Sequence, residues 1–310
     1  GCFGTANVLA GQRFDIPVKG THAHSWIMSF KTELEAFRNY ASLYPDNCLL
    51  LVDTYDTLKS GVPHAIQVFN EMKAKGIRMK TYGIRLDSGD LAYLSKQARK
   101  MLDRAGHTDA IISASSDLDE HLIDSLHTQG AKITSWGVGT NLITSKNCPA
   151  FGGVYKLAAV SDENGNFIPK IKISENIEKV TNPGDKTVFR LYDKETGKIR
   201  ADLIALADEH YNDDDSLMIF DPISTWKKTL LQGGTYTIRE LLVPIFKSGK
   251  CVYQSPAVMD IRDYCTSELN TLWDESRRLV NPQEVYVDLS EPLWKLKNAL
   301  LAPVHTFKDN

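Results

Sequence analysis

Five short polar segments of this chain combine residue types that could bind and transform a phosphorylated substrate. They contain two histidines, several carboxylates, an arginine and closely spaced glycines, at residues 20–25 (GTHAHS), 53–56 (DTYD), 85–90 (RLDSGD), 113–117 (SASSD) and 137–140 (GVGT). Glycine-rich backbone binds phosphate through its N–H groups, and carboxylates beside phosphates usually hold Mg²⁺ or ribose hydroxyls. Collected at one place, these segments would suit a phosphorylated sugar.

Each segment taken alone has several interpretations. His22 and His24 could ligate a metal, take part in catalysis, or serve only as polar groups at the end of a strand. Asp53 could cap a helix, and Arg85 could form a local ion-pair turn with the carboxylates that follow it. The G-x-G pattern at 137–139 fits a tight turn as well as a phosphate site. Only the combination of segments favours a substrate site.

The elements that must position these segments follow from the alternation of apolar runs and helical periods over residues 1 to about 160. Residues 48–52 (CLLLV) form a continuous apolar run, which is typical of a strand buried on both faces. Asp117, followed by Glu120 three residues later, predicts a helix start of the capping-box kind. Further strands are predicted at 77–86, 110–114, 132–136 and 154–160. This order predicts parallel βα units, whose ligands bind beyond the carboxyl ends of the strands.

The pattern changes after residue 160, where turn signals separate short extended segments. Residues 162–166, 181–185 and 193–197 are such turns, so we expect antiparallel β-structure between them. The acidic run at 213–215 is interpreted as a solvated loop, and residues 258–280 predict an amphipathic helix. We therefore expect two domains, residues 1–160 and 161–310.

Composition narrows the class of protein. The 310 residues carry 36 basic and 39 acidic side chains, a net charge of −3, which excludes a generally basic nucleic-acid binder. No apolar run approaches about 18 residues, so no membrane span is expected. The five cysteines are odd in number and widely spaced, which predicts neither a disulfide framework nor a zinc site. A cytoplasmic, reducing location is the simplest expectation.

Seven segments of the chain resemble nicotinate phosphoribosyltransferases, and they occur in family order. They are GTANVLAG (4–11), GTHAHS (20–25), LLVDTYDTLKSGVP (50–63), GIRLDSGDLAYLS (83–95), SSDLDE (115–120), WGVGTNLIT (136–144) and GGVYKLAAV (152–160). The resemblance covers essentially the whole chain. It implies the irregular, TIM-like α/β barrel of the type II phosphoribosyltransferases, with an antiparallel β/α accessory region toward the C-terminus. We expect that a further N-terminal family region, which contributes to the base pocket and reaches the partner's site in the dimer, lies outside these residues.

The resemblance implies the transfer of a phosphoribosyl group from 5-phosphoribosyl-1-pyrophosphate to nicotinate. The products would be nicotinate mononucleotide and pyrophosphate, in NAD biosynthesis, with ATP hydrolysis coupled through a phosphorylated histidine. His24 occupies the position of that histidine, Asp53 that of its carboxylate partner, and His22 is expected to be structural. Asp87 is implied as the carboxylate on the ribose side and as the residue that contacts Mg²⁺.

The remaining residues implied by the resemblance bind substrate. Arg85 faces either the nicotinate carboxylate or the phosphates, and both alternatives stay open because a guanidinium suits either. Thr21 is a further substrate-binding residue. The 5′-phosphate cradle is expected to contain Ser115, Asp117, Gly137, Gly139 and Thr140. For Gly152 and Gly153, a place in the cradle and tight packing are equally good interpretations.

The expected cofactors and partners also follow from the family. They are Mg²⁺, ATP as co-substrate, nicotinate, 5-phosphoribosyl-1-pyrophosphate and a second copy of the chain in a homodimer. We expect neither nucleic acid nor membrane as a partner. Two alternatives remain, namely the same reaction on nicotinamide and a non-catalytic, truncated homologue with a structural or regulatory role.

Overall fold

The computed structural model describes residues 1–224 and 226–302. These residues divide into two compact units. The N-terminal unit contains residues 3–13 and 17–152, and the C-terminal unit contains residues 1–2, 14–16 and the described residues from 153 onward. Each unit has its own buried apolar cluster.

The N-terminal unit is built on four parallel strands that lie side by side in chain order, β1-β2-β3-β4. Their bounds are β1 (Asn47–Leu51), β2 (Thr81–Leu86), β3 (Ile111–Ala114) and β4 (Ser135–Trp136). The helices around them are α1 (Val8–Phe14), α2 (His24–Met28), α3 (Glu33–Leu43), α4 (Val62–Ala74), α5 (Leu91–Arg104), α6 (Glu120–Thr128) and α7 (Thr140–Ile143). Parallel strands in sequential order, connected by helices, are the arrangement found in α/β barrels.

These findings confirm the expected α/β fold, with a sheet of four strands in the described part of the unit. The apolar run that predicted β1 is completely buried at Leu50, Leu51 and Val52. β4 is shorter than predicted and holds only two residues. The predicted strand at 154–160 is wrong for most of its length, because β5 (Ala159–Ser161) begins at its end and pairs antiparallel with β6 (Phe167–Pro169) in the C-terminal unit.

Aspartates cap the helices that follow the strands, although not always the predicted ones. Asp56 accepts hydrogen bonds from the N–H groups of Leu58 and Lys59 at the start of a π-helical turn, Thr57–Gly61. The prediction that Asp117 caps a helix is wrong, because Asp119 is the N-cap of α6. The φ angle of Asp117 is +47°, in the left-handed region, whereas an N-cap residue is typically extended.

Gly61 allows the turn after β1 to pack directly on the end of that strand. A Cβ atom at Gly61 would lie 1.9 Å from the backbone oxygen of Val52, well inside contact distance. A larger residue there would displace Val52 and with it Asp53, the first residue of the predicted site on this strand.

The C-terminal unit contains a six-stranded sheet in the order β10-β9-β14-β8-β7-β11. β14 runs parallel to β8, and the other neighbours are antiparallel. The strands are β7 (Lys186–Asp193), β8 (Ile199–Leu206), β9 (Leu217–Phe220), β10 (Lys228–Leu231), β11 (Tyr236–Glu240) and β14 (Tyr286–Ser290). The apolar core of this sheet consists of Leu191, Ala201, Leu203, Leu217, Ile219, Leu231 and Tyr236. Antiparallel β-structure toward the C-terminus is therefore confirmed.

Smaller elements complete this unit. They are the hairpin of β12 (Phe246–Lys247) and β13 (Lys250–Cys251), the helices α8 (Val258–Asn270) and α9 (Glu291–Leu301), and two 3₁₀ turns, Ile177–Lys179 and Asp274–Arg277. The predicted helix at 258–280 therefore ends ten residues early. The acidic loop at 213–215 also contacts the sheet, because Asp213 accepts a hydrogen bond from the N–H of Ile238 in β11 at 2.9 Å. No helix in the described ranges combines the length and apolar character needed to cross a bilayer.

Candidate active site

The ends of β1, β2 and β3 bring together most of the residues predicted to do chemistry. Leu51 pairs with Arg85 and Arg85 with Ser113, so the residues that follow these positions lie at one edge of the sheet. Asp53, Asp87 and Ser115 occupy that edge. His24 joins them as the first residue of α2.

Arg85 connects three of the predicted segments through its guanidinium group. Its Nε donates to Ser115 Oγ at 2.8 Å, one Nη donates to Thr21 Oγ1 at 2.8 Å, and the other donates to Asp87 Oδ1 at 3.0 Å. The side chain is one-quarter exposed, so part of the cation faces solvent. Arg85 thus connects Thr21, Asp87 and Ser115 at this edge of the sheet, and part of its positive charge remains accessible at the surface of the site.

Asp87 lies at the centre of this network. Oδ1 accepts hydrogen bonds from Arg85 and from the hydroxyl of Ser115. Burial raises the pKa of the Asp87 carboxyl, but the Ser115 hydrogen bond and the charges of Arg85 and His24 outweigh it, so the pKa lies below its usual value. The carboxylate is therefore ionised at neutral pH.

His24 contacts one hydroxyl and one carboxylate through its two ring nitrogens. Nδ1 lies 3.0 Å from Thr54 Oγ1, and Nε2 lies 3.5 Å from Asp87 Oδ2. The imidazole is 39% exposed, so a phosphate donor could reach it from solvent. A partly exposed histidine that contacts a hydroxyl through one nitrogen and a carboxylate through the other is suited to nucleophilic or proton-transfer chemistry.

Asp53 has different partners from those that the resemblance implied. Its Oδ2 accepts hydrogen bonds from the Asp87 N–H at 2.8 Å and from Ser88 Oγ at 2.6 Å. Its Oδ1 is buried and has no hydrogen-bond partner among the described residues. The group that contacts Nδ1 of His24 is the hydroxyl of Thr54, the next residue along the chain.

His22 is a buried structural residue in this arrangement. Its Nε2 accepts a hydrogen bond from the Leu51 N–H at 3.3 Å, and its ring packs edge-on against Tyr40, with 4.5 Å between the ring centroids. Burial lowers the pKa of His22 to about 4. The geometry does not support a metal pair with His24, and no cluster of three or more possible metal ligands occurs among the described residues.

The predicted phosphate cradle consists of two loops that contact each other. Ser116 and Asp117 both have positive φ angles, +94° and +47°. Asn141 Nδ2 donates to the backbone oxygen of Asp117 at 2.8 Å and so connects this turn to the loop after β4. Two positive φ angles at non-glycine residues in succession are uncommon, and such strain is often found at ligand sites.

The glycine loop after β4 contributes backbone rather than side chains. The Gly137 N–H donates to the Ala114 oxygen at 2.7 Å, which places the start of the loop beside β3. Gly139 precedes α7, and Thr140 is the first residue of that helix. Gly152 and Gly153 lie farther along, and a Cβ atom at either would meet no neighbour within 4 Å. Tight packing therefore does not explain those two glycines.

Sequence reasoning missed Thr54, Ser88 and Asn141 as members of the site. Thr54 and Ser88 immediately follow the predicted carboxylates, so their position beyond a strand end was a usable signal. For Asn141, the available sequence signal was its position directly after the glycine loop. Each of the three connects two segments that lie far apart in the sequence.

Two family models match this chain. The model of the nicotinate phosphoribosyltransferase (NAPRTase) family matches residues 2–195, and that of the nicotinate phosphoribosyltransferase C-terminal domain matches residues 185–297. Among curated proteins, the nicotinate phosphoribosyltransferase of Bacillus subtilis (strain 168) is 50% identical over 293 residues, which cover 94% of this chain and 58% of that protein. The enzyme of the same name from Dictyostelium discoideum is 34% identical, with 95% and 57% covered. The chain thus spans less than two thirds of the length of these relatives.

Solved structures agree with this relationship. The structure of human nicotinic acid phosphoribosyltransferase superimposes with a TM-score of 0.75 at 26% identity, covering 97% of this chain and 65% of the human chain. Nicotinate-nucleotide pyrophosphorylase from Pyrococcus furiosus shares the fold, with a TM-score of 0.59 at 20% identity over 87% of this chain and 59% of that one. The family models span nearly all of the sequence and include every segment of the candidate site, and on this evidence the chain belongs to the nicotinate phosphoribosyltransferase family.

Proposed function

We propose that the protein containing this chain forms nicotinate mononucleotide and pyrophosphate from nicotinate and 5-phosphoribosyl-1-pyrophosphate. Family membership supports the reaction class. The observation that carries the proposal is the cluster of His24, Asp87 and Arg85 at one edge of the sheet, where Nε2 of the histidine lies 3.5 Å from a carboxylate that also binds the arginine. This cluster provides a nucleophile, an anion and a cation for a substrate rich in phosphate.

His24 is the residue that we propose to accept the γ-phosphoryl group of ATP. The attack requires the tautomer in which Nδ1 carries the proton, and the Thr54 hydroxyl oxygen, 3.0 Å away, can accept a hydrogen bond from it. Nε2 then has a free lone pair that can form the N–P bond while the O–P bond to ADP breaks. The positive charge that develops on the ring is stabilised by the neighbouring Asp87 carboxylate.

The transfer step requires placement of the base and the sugar more than covalent assistance. Ribose C1 becomes oxocarbenium-like as pyrophosphate leaves, and nicotinate attacks the same carbon. Asp87 is ionised and can stabilise the positive ribose. Arg85 retains partly exposed cationic surface for an anion, either the nicotinate carboxylate or a substrate phosphate.

Mg²⁺ is part of this proposal as a companion of the phosphates. The donor set fits, because Mg²⁺ commonly takes one or two protein carboxylates and completes its shell with phosphates and water. Asp87 would hold the ion, because its side chain is 26% exposed and its Oδ2 lies 3.5 Å from His24 Nε2, so it has room for a further partner. When bound, the ion neutralises the leaving pyrophosphate.

The two contacting loops are proposed to bind the 5′-phosphate of the substrate. Gly139 and Thr140 offer backbone N–H groups, Gly137 holds the start of their loop beside β3, and the Ser115–Asp117 turn lies against this loop through Asn141. Backbone donors suit phosphate because they provide hydrogen bonds without any change in protonation. Thr21 is proposed to act through Arg85, whose guanidinium group it holds.

The barrel and the dimer are further parts of the proposal. A four-stranded parallel sheet in sequential order is half of the eight strands of a complete barrel. Large apolar side chains of residues 143–155 face solvent, among them the fully exposed Phe151 and Tyr155. Exposed apolar surface of this kind is usually covered in an assembly, which supports further strands and a homodimer. The cytoplasmic location stays a prediction.

The decisive experiment compares the intact protein with this 310-residue chain, each incubated with γ-labelled ATP and Mg²⁺. We expect acid-labile, base-stable label on the protein, and nicotinate mononucleotide when the two co-substrates are added. His24→Ala should lose the label, whereas His121→Ala, at an exposed histidine of the same unit, should keep it.

The remaining outcomes separate the alternatives. Label on the intact protein alone would mean that further residues complete the site. A preference for nicotinamide over nicotinate would change the substrate but keep the mechanism. Folded, unlabelled protein that forms no mononucleotide would overturn the proposal and favour the non-catalytic role.

A further inference from the structure

A cavity of about 460 Å³ opens beside the six-stranded sheet of the C-terminal unit. Its volume lies in the range of pockets that bind small molecules. Most of its wall is apolar and comes from Ile199, Ala201, Ile219, Leu231, Trp273 and Val285. None of the residues assigned to the transfer reaction lines it.

Asp288 gives this apolar cavity an unusual polar group. The residue lies in the middle of β14 and is only 8% exposed. Its carboxyl group has no hydrogen-bond or ion-pair partner among the described residues, and it lines the cavity. Buried polar groups nearly always have a partner, because an unpartnered one costs free energy. Asp288 therefore presents an unpaired carboxyl group to the cavity, where a ligand could donate to it.

The electrostatic surroundings point to a positively charged donor. Glu275 and Glu284 also line the cavity, so three of its lining residues carry carboxyl groups. Arg200 is the one basic lining residue in the described ranges, and its Nε donates to Asp193 at 3.1 Å, so its charge is already paired. Burial, followed by the charge of Asp221, raises the pKa of Asp288. A cation in the cavity would stabilise the ionised form of Asp288 against both its burial and the negative charge of Asp221.

The wall that faces the sheet is preformed. Trp273 Nε1 donates to the Ile199 oxygen at 2.7 Å, and Gln283 N donates to the Glu275 oxygen at 2.9 Å. Lys198 Nζ donates to the Leu272 oxygen at 2.9 Å and so fixes the chain just before the indole. A site held in place before binding avoids the free-energy cost of ordering it.

We propose that this cavity binds a small organic ammonium ion, whose N–H groups donate to Asp288 while its apolar or aromatic part packs against Trp273 and Leu231. The aromatic rings of Trp273 and Tyr286 at the cavity wall also favour a cation. None of its lining residues is assigned to the transfer reaction, so the proposal is for a ligand additional to the substrates.

The test uses the intact protein and two probes of matched size and opposite charge, 2-phenylethylammonium and 3-phenylpropionate. Titration calorimetry and ligand-observed NMR measure their binding. We expect saturable binding of the ammonium ion and at least tenfold weaker binding of the carboxylate. Asp288→Asn should weaken the binding of the ammonium ion about tenfold or more, the size expected for loss of a charged hydrogen-bond partner. Asp208→Asn, at an exposed position after β8, should leave binding unchanged.

Thermal unfolding distinguishes a ligand-binding role of Asp288 from a structural one, because loss of a stabilising aspartate would lower the Tm. Asp288→Asn should raise the Tm of the ligand-free protein, because it removes a buried, unpartnered acid. As a second variant, Thr229→Trp at the exposed edge strand should fill the mouth of the cavity and weaken binding without lowering the Tm. Equal binding of both probes, no saturable binding to folded protein, or undiminished binding by Asp288→Asn would overturn the proposal.

Discussion

The carboxylate of Asp53 accepts a hydrogen bond from the backbone N–H of Asp87, with 2.8 Å between nitrogen and oxygen. Asp53, which lies just beyond the end of β1, thereby fixes the backbone of Asp87, which lies just beyond the end of β2. A second bond to Ser88 Oγ at 2.6 Å holds the turn that follows. We therefore expect Asp53 to act by positioning Asp87.

Replacing Asp53 by Asn should lower transferase activity about tenfold to 100-fold, the usual effect of losing a supporting contact behind a functional group. Both hydrogen bonds go to Oδ2, so the amide oxygen can still accept them, but they lose the charge of the carboxylate and become weaker. The NH₂ group would also take the buried place of Oδ1, where no described residue offers an acceptor. Steady-state kinetics of mononucleotide formation measures the change. Asp56→Asn is the matched control, because Asp56 caps the following turn and Asn also caps well. An unchanged rate in Asp53→Asn would contradict the positioning role.

Thr54 should control phosphorylation of His24 rather than the binding of nicotinate. Thr54→Val keeps the shape but removes the hydroxyl 3.0 Å from Nδ1, so the ring loses a contact that orients it. We expect histidine labelling by ATP to slow about tenfold to 100-fold. Thr54→Ser should restore it, because the hydroxyl returns. Equal labelling rates in the Val and Ser variants would exclude this contact from the mechanism.

Arg85→Lys should impair activity although it conserves the charge. The guanidinium group binds Thr21, Ser115 and Asp87 in three directions, and one ammonium group cannot reproduce that geometry. Displacement of Asp87 by as little as about 1 Å should cost about 100-fold in kcat/KM. Arg38→Lys is the control, since Arg38 makes a comparable two-bond contact with Glu71 on the surface. Similar kinetics in both variants would contradict the bridging role.

The sequence predicted which segments form the site better than it predicted the contacts between them. The run at 48–52 specified a strand buried on both faces because every residue in it is apolar, and the carboxyl ends of parallel strands then had to meet. The partner of His24 is decided by side-chain angles and by distances of a few ångström. The sequence does not contain these, so it could not show whether Asp53 or the adjacent Thr54 contacts the ring. The largely apolar segment 154–160 suggested a strand, yet Val154 and Tyr155 are exposed, because hydrophobicity alone does not supply a pairing partner.

Gly61→Ala should destabilise the N-terminal unit by about 3 kcal/mol or more, since the new methyl group would overlap the Val52 oxygen. Relief of that overlap moves the end of β1, so activity should fall together with stability. Gly152→Ala is the control, because a Cβ atom there meets no neighbour within 4 Å. Chemical denaturation and steady-state kinetics of both variants provide the measurement. An equal, small loss in both variants would show that the turn relaxes without moving the strand.

His22 should make the stability of the protein depend on pH in the weakly acidic range. Burial lowers its folded pKa to about 4, whereas an unfolded histidine has a pKa of 6.5. Between these values the unfolded chain binds more protons, so stability is complete above about pH 6.5 and falls as the pH drops toward 4. The full shift corresponds to about 3 kcal/mol. Urea unfolding at pH 7.0 and 4.5 should therefore show a smaller difference in His22→Gln than in the parent protein.

A matched substitution separates this effect from general acid destabilisation. His210 is an exposed histidine, so His210→Gln should leave the pH dependence of the parent unchanged. His22→Gln keeps an acceptor for the Leu51 N–H but cannot take up a proton, and it should also remove the edge-on packing on Tyr40. Its stability should consequently be lower than that of the parent at pH 7 and nearly equal to it at pH 4.5. If the two proteins instead lost the same free energy between pH 7 and 4.5, another buried group would have to account for the pH dependence.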